Sequence, residues 1–202
     1  MQAARFAVSD VNKSKVGGGG VGEVTIPGFC LAKGIQPVLP IFRESILNGQ
    51  PDVKEQAAKG LSEVISVSNA DALKPSVVHI TGPLIRILGD RFPSHVKTAV
   101  LDTLASLLKK ASVLLKPFFP QLQTTFMKAL NDGNRTVRLM AGSALGYLIA
   151  IHMRPDPLFN ELANGIKTSS DDSSVRDTYL QALRLCLERA GDKMSPPIRS
   201  GH

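Results

Sequence analysis

One helical pattern recurs four times along the chain and constrains its fold more than any other feature. Each copy begins with a valine and a cation, and apolar residues follow 4, 8, 11 and 12 positions after the valine. The four starting pairs are Val53-Lys54, Val96-Lys97, Val137-Arg138 and Val175-Arg176. This spacing places the apolar residues on one stripe of an α-helix. Successive copies start about 40 residues apart, which indicates a chain built from repeated helical units.

A helical repeat of about 40 residues is typical of an α-solenoid of the HEAT or armadillo type, in which neighbouring repeats stack. The composition agrees, because 43% of the 202 residues are hydrophobic and none is tryptophan, which favours an aliphatic core between helices. We therefore predict an all-α solenoid of about four HEAT-type helical hairpins. The array is expected over residues 28–190, with hairpins at about 35–67, 75–111, 116–152 and 156–190.

Two segments lie outside the predicted repeats. Residues 1–27 include four consecutive glycines and are expected to form a flexible N-terminal segment, since glycine loses much conformational freedom on ordering. Residues 191–202 are expected to form a C-terminal tail.

No motif along the chain indicates catalysis or a bound cofactor. Gly17, Gly19 and Gly22 fit the spacing of a dinucleotide-binding loop, but no apolar strand precedes them and Pro27 follows closely. The histidines have no cysteine at ligand spacing, which argues against a structural metal site. No serine or cysteine lies in a recognisable nucleophile motif. We predict a non-enzymatic protein with no cofactor, no metal and no small-molecule substrate.

Cysteine content and hydropathy predict a cytoplasmic protein. The two cysteines, Cys30 and Cys186, cannot form a disulfide framework, and Cys186 lies on a predicted core stripe. No apolar run approaches the roughly 20 residues of a membrane span, and the N-terminus lacks the apolar core of a signal peptide. We expect no association with membranes.

The cations that begin the four stripes are the first candidate functional residues. Lys54, Lys97, Arg138 and Arg176 occupy equivalent positions and should form a basic ladder along one edge of the stacked repeats. Aspartates such as Asp132 could bind these cations across neighbouring repeats, or the ladder could contact phosphates of ribosomal RNA. The net charge of +7 is compatible with an acidic partner.

The run GPLIRILGDRF, residues 82–92, holds two further candidates. Arg86 interrupts an apolar stripe, and Arg91 follows a Gly-Asp pair that favours a turn. Arginine is common at interfaces because its planar fork can pair with carboxylates and its face can stack. Arg86 is therefore either a partner contact or the solvent side of an amphipathic helix.

Several long runs in the chain resemble one protein family. They are PGFCLAKG, SNADALKPSVV, ITGPLIRILGDRF, LKPFFPQLQTTFMKALND, DPLFNELANGIK and VRDTYLQALR. Together they cover most of residues 28–190 and resemble the large HEAT-repeat translational activator of the general-control, amino-acid-starvation pathway. Members of this family are cytosolic scaffolds that associate with stalled ribosomes. They bind the RWD domain of the kinase that phosphorylates initiation factor 2 on its alpha subunit.

The resemblance implies a function for the chain. It places the chain in the C-terminal part of such a protein, as a fragment or a short relative, and makes Arg86 and Arg91 candidates for the RWD contact. We expect a non-enzymatic scaffold that regulates the starvation-response kinase and couples it to stalled ribosomes. The alternatives are a module that binds ribosomal RNA through a basic edge, and an inert truncated fragment.

Overall fold

The computed structural model describes residues 25–89 and 91–195, and within them it contains helices and no β-strand. The α-helices are α1 (Ala32–Ile35), α2 (Leu39–Asn48), α3 (Pro51–Val67), α4 (Ala70–Leu73), α5 (Val77–Gly89), α6 (Ser94–Ala111), α7 (Phe119–Ala129), α8 (Arg135–Ala150), α9 (Asp156–Thr168) and α10 (Ser173–Ala190). Short 3-10 helices cover Pro27–Cys30, Ser112–Phe118 and Gly191–Lys193. Most of the expected N-terminal segment, its glycine loop and the end of the expected tail lie outside the described residues.

The long helices pack as four antiparallel-type pairs, α2 with α3, α5 with α6, α7 with α8, and α9 with α10. The second helices of the pairs, α3, α6, α8 and α10, pack in succession into one continuous layer. The first helices contact one another less extensively. We name the layer of second helices the inner face of the array. This architecture is the predicted all-α solenoid of the HEAT or armadillo type.

The apolar stripes of the sequence pattern form much of the core. In α6 and α8 the starting valine and the four later apolar residues of each stripe are all buried. At the ends of the described array the pattern is followed less closely, since Val53 is 48% exposed and Leu187 is 42% exposed. Each lies on a helix with a second-helix neighbour on one side only in the described residues, so part of its stripe faces away from the stack. None of the helices in residues 25–89 and 91–195 is long and apolar enough to cross a membrane.

Local side chains fix where the second helices begin. Asn134 caps α8, because its side-chain oxygen accepts the amide of Thr136 at 2.9 Å. Asp172 caps α10 by accepting the amide of Ser174 at 3.0 Å. Pro51 is the first residue of α3, where its missing amide hydrogen costs no helical hydrogen bond.

Prolines mark the starts of three of the four first helices. Pro40, Pro120 and Pro157 each lie in the first turn of their helix, whereas Pro83 lies inside α5. The first helix of the third pair begins at Phe119 and follows a 3-10 segment, although the sequence suggested a start near Lys116. A start at Phe119 keeps Pro120 in the first turn, where its missing N–H is tolerated.

Candidate docking surface

Lys54, the first residue of the expected basic ladder, is buried, with 4% of its surface exposed. Its Nζ donates to the carbonyls of Ile46 and Leu47, at 2.7 Å each. These carbonyls belong to the last turn of α2, where a cation satisfies backbone acceptors and the helix dipole. The ammonium also lies 4.9 Å from the centroid of the Phe92 ring. Lys54 therefore joins α2 to α3 within the first pair.

Arg138 is buried to the same extent, 4% exposed, and joins the third pair to the fourth. Its Nη1 donates to the carbonyls of Asp132 at 3.0 Å and Gly133 at 3.3 Å, in the turn before α8. Its Nε donates to Thr178 Oγ1 at 3.2 Å, and its Nη2 donates to Ser174 Oγ, both on α10. This guanidinium holds a turn and a neighbouring helix together.

Lys97 forms an ion pair with Asp132 of the following repeat, at 2.8 Å. The Asp132 carboxylate also accepts the amide of Asn134 at 2.9 Å. Burial raises the pKa of Asp132, but hydrogen bonds from Lys97 and the Asn134 amide, with the charges of Lys97 and Arg138, outweigh it and hold the pKa below its usual value. The pair stabilises the junction between the second and third repeats.

Arg176 differs from the other three cations, because it is exposed and its side chain has no hydrogen bond or ion pair within the described residues. Asp171, just before α10, accepts from Ser170 Oγ at 3.3 Å, while the neighbouring Asp172 caps the helix. Asp90 lies outside the described residues. The four ladder positions are thus unequal: two are buried, one is half-buried and one is exposed.

Arg86 and Arg91 are both exposed, and neither side chain has a hydrogen bond or ion pair in the described part of the chain. Arg86 lies on α5, whose Leu84 and Ile87 are 0% and 2% exposed. Arg91 lies in the segment between α5 and α6. Helix α5 therefore buries its apolar stripe and leaves the guanidinium of Arg86 in solvent.

The exposed face of α5 has accessible backbone beside Arg86. His79, Gly82 and Arg86 are all exposed and follow the spacing of neighbours on one helix face. Apart from the neighbouring residues and backbone of α5 itself, no atom lies within 4 Å of the position that a Cβ at Gly82 would occupy. Pro83 has no amide hydrogen, so the His79 carbonyl lacks the amide that would bind it in an uninterrupted helix. A partner can approach this face closely and donate to it.

A groove between the first helices continues the same face. It has a volume of about 250 Å³ and lies between α2 and α5. Pro40 and Arg43 line it from α2, and His79 and Ile80 line it from α5. We name the exposed face of α5 together with this groove the outer face. It combines apolar lining with two arginines, Arg43 and Arg86.

A second groove, of about 450 Å³, runs along the inner face between α3, α6 and α8. Near its edge Asp52, Glu55 and His95 bring three possible metal-ligating atoms within 4.8 Å of one another, a grouping that the sequence spacing did not reveal. His95 Nε2 lies 3.6 Å from Asp52 Oδ1. Glu55 already pairs with Lys59 at 2.6 Å, so a divalent cation would have to displace that ammonium.

The fold places the chain in the class of α-helical repeat proteins. It is similar to a designed armadillo repeat protein solved in complex with the peptide (KR)4, with a TM-score of 0.57 at 16% identity, covering 79% of this chain and 70% of that one. An engineered protein is also similar, with a TM-score of 0.53 at 17% identity, covering 82% of this chain and 74% of that one. A family model described as a HEAT-like repeat matches residues 94–148.

The sequence comparisons identify the family within this class. A model described as "Stalled ribosome sensor GCN1-like, HEAT repeats" matches residues 156–201. The chain is 59% identical over 175 residues to the stalled ribosome sensor GCN1 of Mus musculus. It is 48% identical over 178 residues to the protein ILITYHIA of Arabidopsis thaliana, and 43% identical over 171 residues to the eIF-2-alpha kinase activator GCN1 of Saccharomyces cerevisiae. The chain therefore belongs to the GCN1 family, as the sequence resemblance indicated.

The chain corresponds to a small part of these relatives. The three alignments cover 86%, 88% and 84% of this chain but 6% of each relative.

Proposed function

We propose that this segment is a docking module of a kinase-activating scaffold that works in the cytoplasm. In this proposal the outer face binds the RWD domain of the kinase that phosphorylates initiation factor 2 on its alpha subunit, and so couples the kinase to stalled ribosomes. The names of the relatives support the general role, since one is a stalled ribosome sensor and another an eIF-2-alpha kinase activator.

The exposed, unpaired guanidinium of Arg86 is the observation that most supports docking on the outer face. The buried Leu84 and Ile87 fix the rotation of α5, so Arg86 is held toward solvent by the core behind it. A preorganised arginine loses less conformational freedom on binding than a side chain on a mobile loop. Its planar fork favours a carboxylate on the partner. Arg91, in the segment after α5, is proposed to make a second and weaker contact.

The proposed mechanism is positional and involves no chemistry by the chain. Holding the RWD domain on a scaffold raises the effective concentration of the attached kinase near its activating site. A solenoid suits this role because each repeat contacts only its neighbours and leaves extended surface free for partners.

Binding of the purified RWD domain to single-arginine variants tests the proposal. We expect Arg86→Ala to weaken binding about tenfold or more, as for a central arginine of an interface, and Arg91→Ala to weaken it less. Arg176→Ala is the matched control, because Arg176 is also exposed and unpaired in the described residues but lies on α10. Circular dichroism establishes that each variant is folded. Equal binding by wild type and the folded Arg86→Ala, Arg91→Ala double variant would exclude the docking assignment.

Binding of ribosomal RNA through the basic ladder has less support. Lys54, Lys97 and Arg138 each donate to groups of the protein itself. An RNA-binding ladder would give an affinity that falls steeply with salt and depends on several cations together. RWD docking would instead depend on Arg86 individually. Failure of the wild-type chain to bind either partner would favour the third possibility, an inert fragment.

A further inference from the structure

Three side chains from successive second helices meet on the inner face, away from the outer face proposed for docking. Lys109 lies on α6, Tyr147 on α8 and Arg189 on α10. The Lys109 ammonium lies 4.6 Å from the centroid of the Tyr147 ring, and the Arg189 guanidinium carbon lies 3.6 Å from it. We name these three residues the inner cation cluster. It places two positive charges beside one tyrosine.

The positive charge of this cluster is not neutralised by the protein. In the residues that the structure describes, neither Lys109 nor Arg189 forms an ion pair with a carboxylate. Glu188, next to Arg189 in the chain, instead pairs with Arg184 at 3.2 Å. Two cations near one ring repel each other unless an anion or solvent screens them. The cluster can therefore bind an anion without displacing a carboxylate of the described residues.

Arg189 is held in place although one of its donors is unused. Its Nη1 is buried and has no hydrogen-bond partner. Gly146 makes room for this nitrogen, since a Cβ at that position would lie 3.1 Å from Nη1. A buried donor without an acceptor is costly and uncommon in folded proteins. The packing of Arg189 on Tyr147 and against Gly146 thus fixes a guanidinium that lacks an acceptor.

The Tyr147 hydroxyl shares the positive potential of the two cations. Burial alone would raise the pKa of Tyr147, but the contacts and charges of Lys109 and Arg189 outweigh it and lower the pKa. An anion placed near the hydroxyl would receive hydrogen bonds from the tyrosine and electrostatic attraction from both cations.

We propose that the inner cation cluster binds the phosphate of a phosphorylated side chain on an extended peptide segment of a partner protein. A phosphorylated side chain carries a charge of about −1.5 to −2 near neutral pH, which matches two cations better than a singly charged phosphodiester does. Arginine binds phosphate oxygens with two parallel hydrogen bonds, and lysine and tyrosine add single donors.

The neighbouring groove offers a path for the rest of the peptide. The 450 Å³ groove lies on the same layer of second helices and is lined by polar groups of Ser94, Thr98, Asn134 and Thr136. Thr136 and Tyr147 lie 11 residues apart on α8, a spacing that returns to the same helix face after about three turns. Eleven residues of helix rise about 16 Å, so an extended peptide that lies in the groove would have to continue along α8 by about five more residues to place a phosphorylated side chain at the cluster.

Fluorescence anisotropy with the full chain tests this site with three probes. The first is a degenerate peptide library with a central phosphoserine, the second is the same library with serine, and the third is a 20-nucleotide single-stranded RNA of mixed sequence. We expect the phosphorylated library to bind at least tenfold more tightly than the serine library. Lys109→Gln and Arg189→Gln are each expected to weaken that binding about tenfold, and Tyr147→Phe a few-fold.

Arg184→Gln is the matched control, because it removes one positive charge from the same helix at an exposed position paired with Glu188. It should leave binding unchanged. Lys109 is exposed, so Lys109→Gln tests the site even if Arg189→Gln does not fold. Equal affinity for both libraries would overturn the proposal. Tighter binding of the RNA than of the phosphorylated library, with the same loss in Lys109→Gln, would overturn it in favour of a nucleic-acid site.

Discussion

Single residues in equivalent sequence positions have different roles in this array, as Arg138 and Arg176 demonstrate. Both follow the starting valine of a stripe, and both are arginine. Arg138 reaches Ser174 and Thr178 on the next second helix, whereas no further helix pair follows α10 in the described residues. The role of each cation is therefore decided by its neighbour in space, which the sequence period alone does not specify.

The unequal contacts of Arg138 and Arg176 predict that replacing each by alanine will have unequal effects on the free energy of unfolding. Arg138→Ala would remove a buried guanidinium that donates to the carbonyls of Asp132 and Gly133 and to two hydroxyls of α10, so we expect it to lower the free energy of unfolding by about 3 kcal/mol. Arg176→Ala should change it by less than about 0.5 kcal/mol. Urea denaturation of both variants measures the difference. A similar loss in the two variants would show that the contacts of Arg138 contribute nothing specific.

Asp132 predicts a dependence of stability on pH. Its folded-state pKa lies below the unfolded value of 3.8, so folding favours the ionised carboxylate. This contribution is fully present above pH 3.8 and is lost as the pH falls through the lower folded-state pKa. Wild type should therefore lose more stability than Asp132→Asn between about pH 5 and pH 3. Urea unfolding at both pH values measures this, and parallel losses in the two proteins would contradict the assignment.

At the scale of the helices, the sequence predicted helix bounds best where the apolar stripe, the capping residue and the turn all indicated the same boundary. Helix α9 begins at Asp156 and α10 ends at Ala190, the expected bounds of the fourth hairpin, and Asp172 caps α10. The start of α7 was wrong by three residues, because proline geometry rather than periodicity decides it. The residues of the inner cation cluster lie 13, 10 and 14 positions after the starting valines of their stripes, so the repeat pattern does not align them, and only the lateral packing of helices brings them together.

The packing of α9 on α10 gives a prediction at this scale. A Cβ on Gly165 would lie 2.1 Å from Tyr179 Cε1, far inside van der Waals contact. We expect Gly165→Ala to destabilise the protein by about 1–3 kcal/mol, despite the better helix propensity of alanine. Gly89→Ala is the control, because no atom beyond its own helix backbone and chain neighbours lies within 4 Å of the corresponding position. Thermal unfolding of the two variants provides the comparison. A stabilised Gly165→Ala variant would show that Tyr179 can move aside at little cost.

At the scale of the whole molecule, the array has two faces with different proposed partners. The outer face carries Arg86 on α5 and Arg43 in the groove between first helices, and the inner face carries a polar groove and the inner cation cluster. The periodicity of the sequence predicted the solenoid, and the family resemblance pointed to Arg86 and Arg91. Neither could predict which cations form hydrogen bonds or ion pairs within the protein where helices and repeats meet. Those contacts depend on the carbonyls, hydroxyls and carboxylates that lie beside each cation in space.

Hydrogen–deuterium exchange with a saturating concentration of RWD domain tests the central claim, docking on the outer face, most directly. We expect slower exchange in α5, Val77–Gly89, and in α2 across the groove, with α8 and α10 unchanged. The protection should disappear in the folded Arg86→Ala variant at the same concentration of RWD domain. Protection confined to the inner helices α6, α8 and α10, with none in α5, would contradict the account.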